Sequence, residues 1–169
     1  MSDENWKVTI HDGVGNLRPL ELSQPDFGVL SRNFLEMEVG SLAPSEPRCI
    51  LGNESVARAV SLLKAERVGC LLVVDEAGML IGIFSERDCV FKAFGVIEDL
   101  SKVKVADLMT PDPVTGSYEM SVAYALNLMS QGGFRHLPLV DVTGRPQGVL
   151  SVKNIVDAIS ARFIAACNI

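Results

Sequence analysis

The chain has 169 residues, of which 48% are hydrophobic and 21% charged, with 14 glycines, 8 prolines and a formal net charge of −6. That make-up fits one compact domain or two small ones sharing a core, and it excludes a disordered, collagen-like or coiled-coil chain. A phosphate backbone is bound mainly through Lys and Arg, so nucleic acid is not an expected partner, although a local basic pocket for a small anion is compatible with this balance.

No apolar run approaches the roughly 18 residues of a membrane span. The start, Met1-Ser2-Asp3-Glu4-Asn5, lacks the basic residues and apolar stretch of a secretory signal, and a cytoplasmic protein is expected. The four cysteines, Cys49, Cys70, Cys89 and Cys167, form no CxxC pair and have no His or Cys partner nearby. They are expected as small buried apolar residues, with no metal bound.

In chain order, residues 1–38 form an N-terminal extension. Within it Lys7 to Gly15 reads as a strand followed by Gly-x-Gly, but a dinucleotide-binding loop would need a third Gly where Arg18 stands, and Pro19 and Pro25 oppose the helix that should follow. His11 is expected as an exposed strand residue. Leu17, Leu20, Leu22, Phe27, Val29, Leu30, Phe34 and Leu35 are too many apolar residues for a fully solvated tail. The extension reads as a strand and hairpin laid on the rest, a dimer arm, or a partly disordered tail.

From residue 39 the sequence repeats itself. Val39 laid on Val105 gives a gapless alignment with about 15 identities in roughly 54 positions, among them Leu42/Leu108, Pro47/Pro113, Ser55/Ser121, Gly82/Gly148 and Ser85/Ser151. The chain is a tandem duplication, with a first unit and linker at 39–104 and a second unit at 105–169. Each copy opens with a short strand, Arg48–Leu51 or Val114–Gly116. A helix follows, with apolar residues at i, i+3, i+4 and i+7: Val56, Ala59, Val60, Leu63, and Val122, Ala125, Leu126, Met129. Asn53 and Glu119 stand near the helix starts. Then come a buried strand (Cys70–Val74; Leu137–Val140), a turn ending in Gly78 or Gly144, and a third strand (Ile81–Phe84; Gly148–Leu150). A closing helix follows, Glu86 to about Phe94 or Val152 to about Ala161. The interval from Phe94 to Val103 reads as the linker. Neither unit can bury its sheet alone, so an α+β fold is expected in which two βαββα units pack face to face through their sheets.

Ser85 ends a strand where a helix begins, so its hydroxyl and the adjoining N–H groups can meet a phosphate or sugar, or it can simply cap the helix. Asp88, one turn on, offers two acceptor oxygens suited to vicinal hydroxyls, or it stabilises the positive helix end. The βαββα unit in tandem, carrying Gly-Ile-Phe-Ser-Glu-Arg-Asp at Gly82–Asp88 and Arg-His-Leu-Pro at Arg135–Pro138, resembles a pair of cystathionine-β-synthase (CBS) domains of the small stand-alone bacterial kind. The resemblance covers about residues 39 to 160.

It implies that Asp88 holds a ribose and that Ser85 lies beside it. In the second copy Ser151 matches, but Asn154 replaces the Asp and loses the charge-assisted bond, so the Asp88 site is expected to dominate. The family's cleft corner maps to Arg135 and His136, implying phosphate contacts, with a surface Arg and a His resting on the sheet as the alternative. Arg87 is either a ligand contact or an exposed ion pair with Glu86 or Asp88. By the same resemblance Met109, Thr110 and Val114 would flank adenine at the Asp88 site, and Ala43 and Arg48 would serve the Asn154 site; core packing is the other reading for Met109 and Val114.

The expected function is that of a regulatory module binding an adenine nucleotide (AMP, ADP or ATP) between the copies, requiring no cofactor. No enzyme is expected, since neither a nucleophile–base pair nor a phosphate-binding loop is evident. The partners expected are a second copy of the chain and an unidentified protein target. The alternative is a non-catalytic dimeric interaction scaffold with degenerate clefts.

Overall fold

The computed structural model describes residues 31–167 together with the strands at 8–11 and 17–20; for those two strands and for residues 166 and 167 it describes the backbone only. β1 (Val8–His11) and β2 (Leu17–Leu20) pair antiparallel, which is the hairpin reading of the extension. The glycines at 13 and 15, the side chain of His11, and Leu22, Phe27, Val29 and Leu30 lie outside what is described. Ser31 caps α1 (Arg32–Glu36) by accepting from the Phe34 amide, and Phe34 is fully buried.

Copy one contains a 3-10 turn (Val39–Leu42), β3 (Cys49–Leu51), α2 (Val56–Glu66), β4 (Cys70–Val74) and β5 (Leu80–Ser85). It closes with α3 (Glu86–Asp88), which runs on as a π turn over Cys89–Ala93. Copy two contains α4 (Val105–Leu108), β6 (Thr110–Pro111), α5 (Val122–Gly132), β7 (His136–Val140), β8 (Pro146–Ser151) and α6 (Val152–Cys167). The caps of α2 and α5 are Ser55 and Ser121, whose hydroxyls accept from the amides of Arg58 and Tyr124. Asn53 and Glu119 stand two residues too early; the residue directly before the first helical one is placed to reach the third helical amide. Gly78 and Gly144 carry φ of 78° and 86° in the two β-turns, which glycine adopts without Cβ strain.

The duplication is visible in the register. β3 runs parallel to β4 with Ile50 beside Val73, and β4 is antiparallel to β5 with Leu72 beside Ile83. In copy two Pro138 lies beside Val149, while the strand expected at Val114–Gly116 is reduced to one parallel bridge, Gly116 to Leu139. Gly116 stands where copy one has the buried Ile50, and Met120 and Leu137 fill the space a side chain would need. The fold is two βαββα units packed sheet to sheet, with Cys70, Leu72 and Val149 buried between them against Leu80 and Ile83.

The leading helical turns are exchanged, which the repeat pattern alone does not reveal. Val39 and Leu42 of copy one sink into the copy-two core with Val122, Leu137, Leu150 and Ile155, whereas Val105 of copy two sinks into the core of copy one. Val39 N–H donates to Met120 O (2.8 Å) and Gly40 N–H to Tyr118 O (2.9 Å). Their counterparts are Val105 to Glu54 O (2.8 Å) and Ala106 to Gly52 O (3.0 Å). The segment from Phe94 to Val103 is a packed strap rather than a free linker: Ile97, Leu100 and Val103 rest on the copy-one core, and the carbonyls of Leu100 and Val103 receive the first amides of α2. No helix among the described residues is long and apolar enough to cross a membrane.

Candidate functional site: the cleft between the copies

Each β-strand-to-closing-helix junction is a reciprocal cap. In copy one the Ser85 amide and hydroxyl both donate to Asp88 Oδ2, at 2.9 and 2.7 Å, while the Asp88 amide donates back to Ser85 Oγ at 3.4 Å. In copy two the Ser151 amide and hydroxyl donate to Asn154 Oδ1, and the Asn154 amide returns to Ser151 Oγ at 3.2 Å. The capping role is therefore real in both copies.

What differs is the free end of the Asp or Asn. The Asn154 amide nitrogen donates to Ala43 O at 3.1 Å, tying copy two to the leading segment of copy one. Asp88 has no donor to offer. Its Oδ1 instead accepts from the Lys92 ammonium at 2.7 Å, and Lys92 donates in turn to Leu108 O at 2.8 Å. Asp88 is the one buried charged side chain among the described residues. Lys92 was not singled out in the sequence, although its place four residues after Asp88 on a helix is a recognisable pairing signal.

Between the copies, where β4 and β7 begin, lies a cavity of about 480 Å³. Arg48, Arg67, Arg135 and Lys153 line it together with Ser45, Ser151 and His136, against the carboxylates of Glu46 and Glu86. Arg48 is held by Glu46 and Glu66, both at 3.2 Å, whereas Arg67 and Arg135 enter none of the salt bridges among the described residues. Burial and the neighbouring Arg135 hold the His136 imidazole below its ordinary value of 6.5, against the opposing pull of Glu86, which favours the neutral ring in the empty cleft. Burial, reinforced by Glu86, pushes the Cys70 thiol on the same wall up to about 12, which leaves it unreactive. The cavity can accept a small anion with several hydrogen-bond acceptors.

The cavity gathers Ser151, Arg135 and His136 from the residues expected to form a site, with Arg48 of the Asn154 group; Arg67 and Lys153 join them. Ser85, Arg87, Asp88, Met109, Thr110, Val114 and Asn154 lie outside its lining, Asn154 standing next to Lys153 with its side chain turned to Ser151 and Ala43. Arg87 pairs with neither Glu86 nor Asp88; its guanidinium stands 5.7 Å over the Phe91 ring. The Met109 thioether covers Gly82, where an added Cβ would lie 2.3 Å from the sulfur. Thr110 is exposed and pairs with Ile83 across the β5–β6 edge, and Val114 is half-exposed.

A family model for the CBS domain matches residues 39–94 and again 105–161. The chain belongs to the CBS domain family. The chain is similar to CBSX2 in complex with AMP (29% identity, TM-score 0.63, covering 73% of this chain and 96% of that one). It is equally close in fold to the CBS domain pair of MJ0100 in complex with 5′-methylthioadenosine and S-adenosyl-L-methionine (25% identity, TM-score 0.63, 72% and 98%). Inosine-5′-monophosphate dehydrogenase of Nitrosopumilus maritimus is 31% identical over 118 residues, 70% of this chain, but the pair spans only 23% of that enzyme.

Proposed function

We propose that the CBS pair is a regulatory, non-catalytic module that takes an adenine nucleotide (AMP, ADP or ATP) into the cleft between its copies. The observation that carries this reading is the cavity of about 480 Å³ with Arg48, Arg67, Arg135 and Lys153 on its walls. Its size falls within the roughly 300–1,000 Å³ of small-ligand sites. Guanidinium groups give planar multi-donor contacts to phosphate oxygens. CBSX2 was solved with AMP, which supports the ligand class. Ser151 lies on the ribose side, and the phosphate faces Arg135. No cofactor is required, and the nucleotide acts on a protein target by favouring one arrangement of the copies.

Thermal denaturation with AMP, adenosine and 5′-methylthioadenosine tests this. At a hundredfold excess over its Kd a ligand adds about 2.7 kcal/mol, a rise of roughly 5–10 °C for a domain of this size. AMP is expected to raise Tm more than adenosine, and Arg135→Ala to remove that difference. Equal shifts would move the reading to an uncharged adenosine-type ligand. A flat panel on folded, nucleotide-free protein would leave the dimeric interaction scaffold. That second reading draws on the exposed Val90, Phe91 and Phe94 after β5 and on Val152, Val156, Phe163 and Ile164 along α6, an apolar surface suited to a second copy.

A further inference from the structure

We infer that Arg67 binds a second phosphate, so that the basic cavity prefers a nucleoside diphosphate to a monophosphate; this rests on the nucleotide reading above. Arg67 ends α2 at φ 54° and ψ 42°, a left-handed conformation that glycine adopts most readily. Copy two fills the equivalent position with Gly133, at φ 64°. Glycine thus suffices to end this helix, and a β-carbon there adds strain with no local gain. Arg67 lines the cavity, yet it enters none of the salt bridges among the described residues.

The two copies carry their arginines at different points. Arg67-Val68-Gly69 aligns with Gly133-Phe134-Arg135, so each Arg stands against a Gly. The reason is steric. A Cβ on Gly69 would lie 2.9 Å from both Cε1 and Nε2 of His136, so the ring of copy two takes the space that a side chain at 69 would need. Copy one cannot hold a basic residue at the place of Arg135, and it carries one two residues earlier.

The order along the cavity follows. Arg135 belongs to the Ser151 end: its carbonyl accepts from the Val152 amide at 3.0 Å, and His136 pairs with Ser151 between the strands. Past the His136 ring come Gly69 and then Arg67, on the opposite copy. A phosphate chain leaving a ribose beside Ser151 therefore meets Arg135 first and Arg67 next. Two guanidinium groups on one cavity repel each other until an anion lies between them, and a diphosphate offers acceptors to both. Arg48 is held by Glu46 and Glu66 and Lys153 by Asp157, which leaves Arg67 for the outer phosphate. Arg67 is a specificity-determining residue that joins copy one to a ligand seated on copy two.

The experiment is calorimetric titration of AMP and of ADP, without divalent cations, into the wild type, Arg67→Gly and Arg67→Asn. Gly and Asn both tolerate the left-handed conformation, so the variants are expected to give cooperative melts no lower than that of the wild type. The wild type is expected to bind ADP about tenfold tighter than AMP, the usual weight of one charge-assisted contact. In both variants the ratio of the two affinities should fall to about one, because the outer phosphate has lost its arginine. Equal affinities in the wild type, or a ratio that survives both substitutions, would overturn the role of Arg67 while leaving the nucleotide reading standing. A wild type that binds neither nucleotide would overturn both.

Discussion

The side-chain amide of Asn154 donates to the backbone carbonyl of Ala43 at 3.1 Å, across 111 positions of sequence. One bond thus joins the closing helix of copy two to the leading segment of copy one. Copy one makes the mirror connection through two groups, Asp88 and Lys92, ending on Leu108 O. Asn154→Asp would set a carboxylate against a carbonyl with no cation to mediate. The loss of one exposed hydrogen bond and the new repulsion are expected to cost about 0.5–1.5 kcal/mol in urea denaturation without nucleotide. Adding Ala158→Lys should recover most of it, since it recreates the copy-one arrangement. Failure of the double variant to recover would show that the two ties are not interchangeable.

A second asymmetry is testable at two equivalent glycines. A Cβ on Gly148 would come within 2.4 Å of the Tyr118 hydroxyl and 3.3 Å of the Ser45 carbonyl, whereas one on Gly82 meets only the flexible Met109 side chain. Tyr118 is further pinned by its hydrogen bond to Gln147 O. Gly148→Ala is expected to lower stability by about 1–3 kcal/mol, the usual cost of overpacking, and Gly82→Ala by less. Paired denaturation curves give the order directly, and the reverse order would show that Tyr118 yields more readily than Met109.

Most of the architecture was legible in the sequence, because the repeat supplied two independent readings of each element. The buried run Cys70–Val74 coincides with β4, and the paired apolar stripes are α2 and α5. The exchange of the leading turns was not legible: Val39 and Val105 align with each other, and alignment cannot say whose core either one enters. Nor was the choice of cleft. Asn154 in place of Asp signalled a weaker ribose site, but of the cations that make the cavity Arg67 aligns with Gly133 and stands outside the shared motif, whereas Lys153 sits inside it at the position of Arg87 and was a signal left unread. The Lys92 contact with Leu108 O needed three-dimensional proximity.

Phe34 lies outside the repeat, yet it is fully buried in the copy-two core, and the Arg162 guanidinium stands 4.8 Å over its ring. It fills the side of that core to which α1 is joined. Phe34→Ala is expected to cost about 3–5 kcal/mol, the range for truncating a buried aromatic. Since Val39 and Leu42 belong to the same cluster, the loss should appear as one cooperative transition at lower denaturant. A preserved midpoint would mean that α1 is a dispensable cover.

The last prediction concerns acid. Burial, and then Arg135, depress the His136 imidazole in the folded protein below its ordinary value of 6.5. Between the folded and the ordinary value the unfolded chain binds more protons than the folded one, so stability rises with pH across that interval. Seen from neutral pH, stability is fully present above about 6.5 and is lost as pH falls below it, until the folded-state value is passed. His136→Gln, which keeps a polar side chain but cannot titrate, should flatten this slope in denaturation midpoints taken between pH 7.5 and 5. Bound AMP acts in the opposite sense: a phosphate beside Arg135 raises the affinity of His136 for a proton, so the AMP-dependent increase in Tm should grow as pH is lowered from 7.5 to 6. An AMP effect that is independent of pH in the wild type, or one that keeps its pH dependence in His136→Gln, would place the phosphate away from this imidazole.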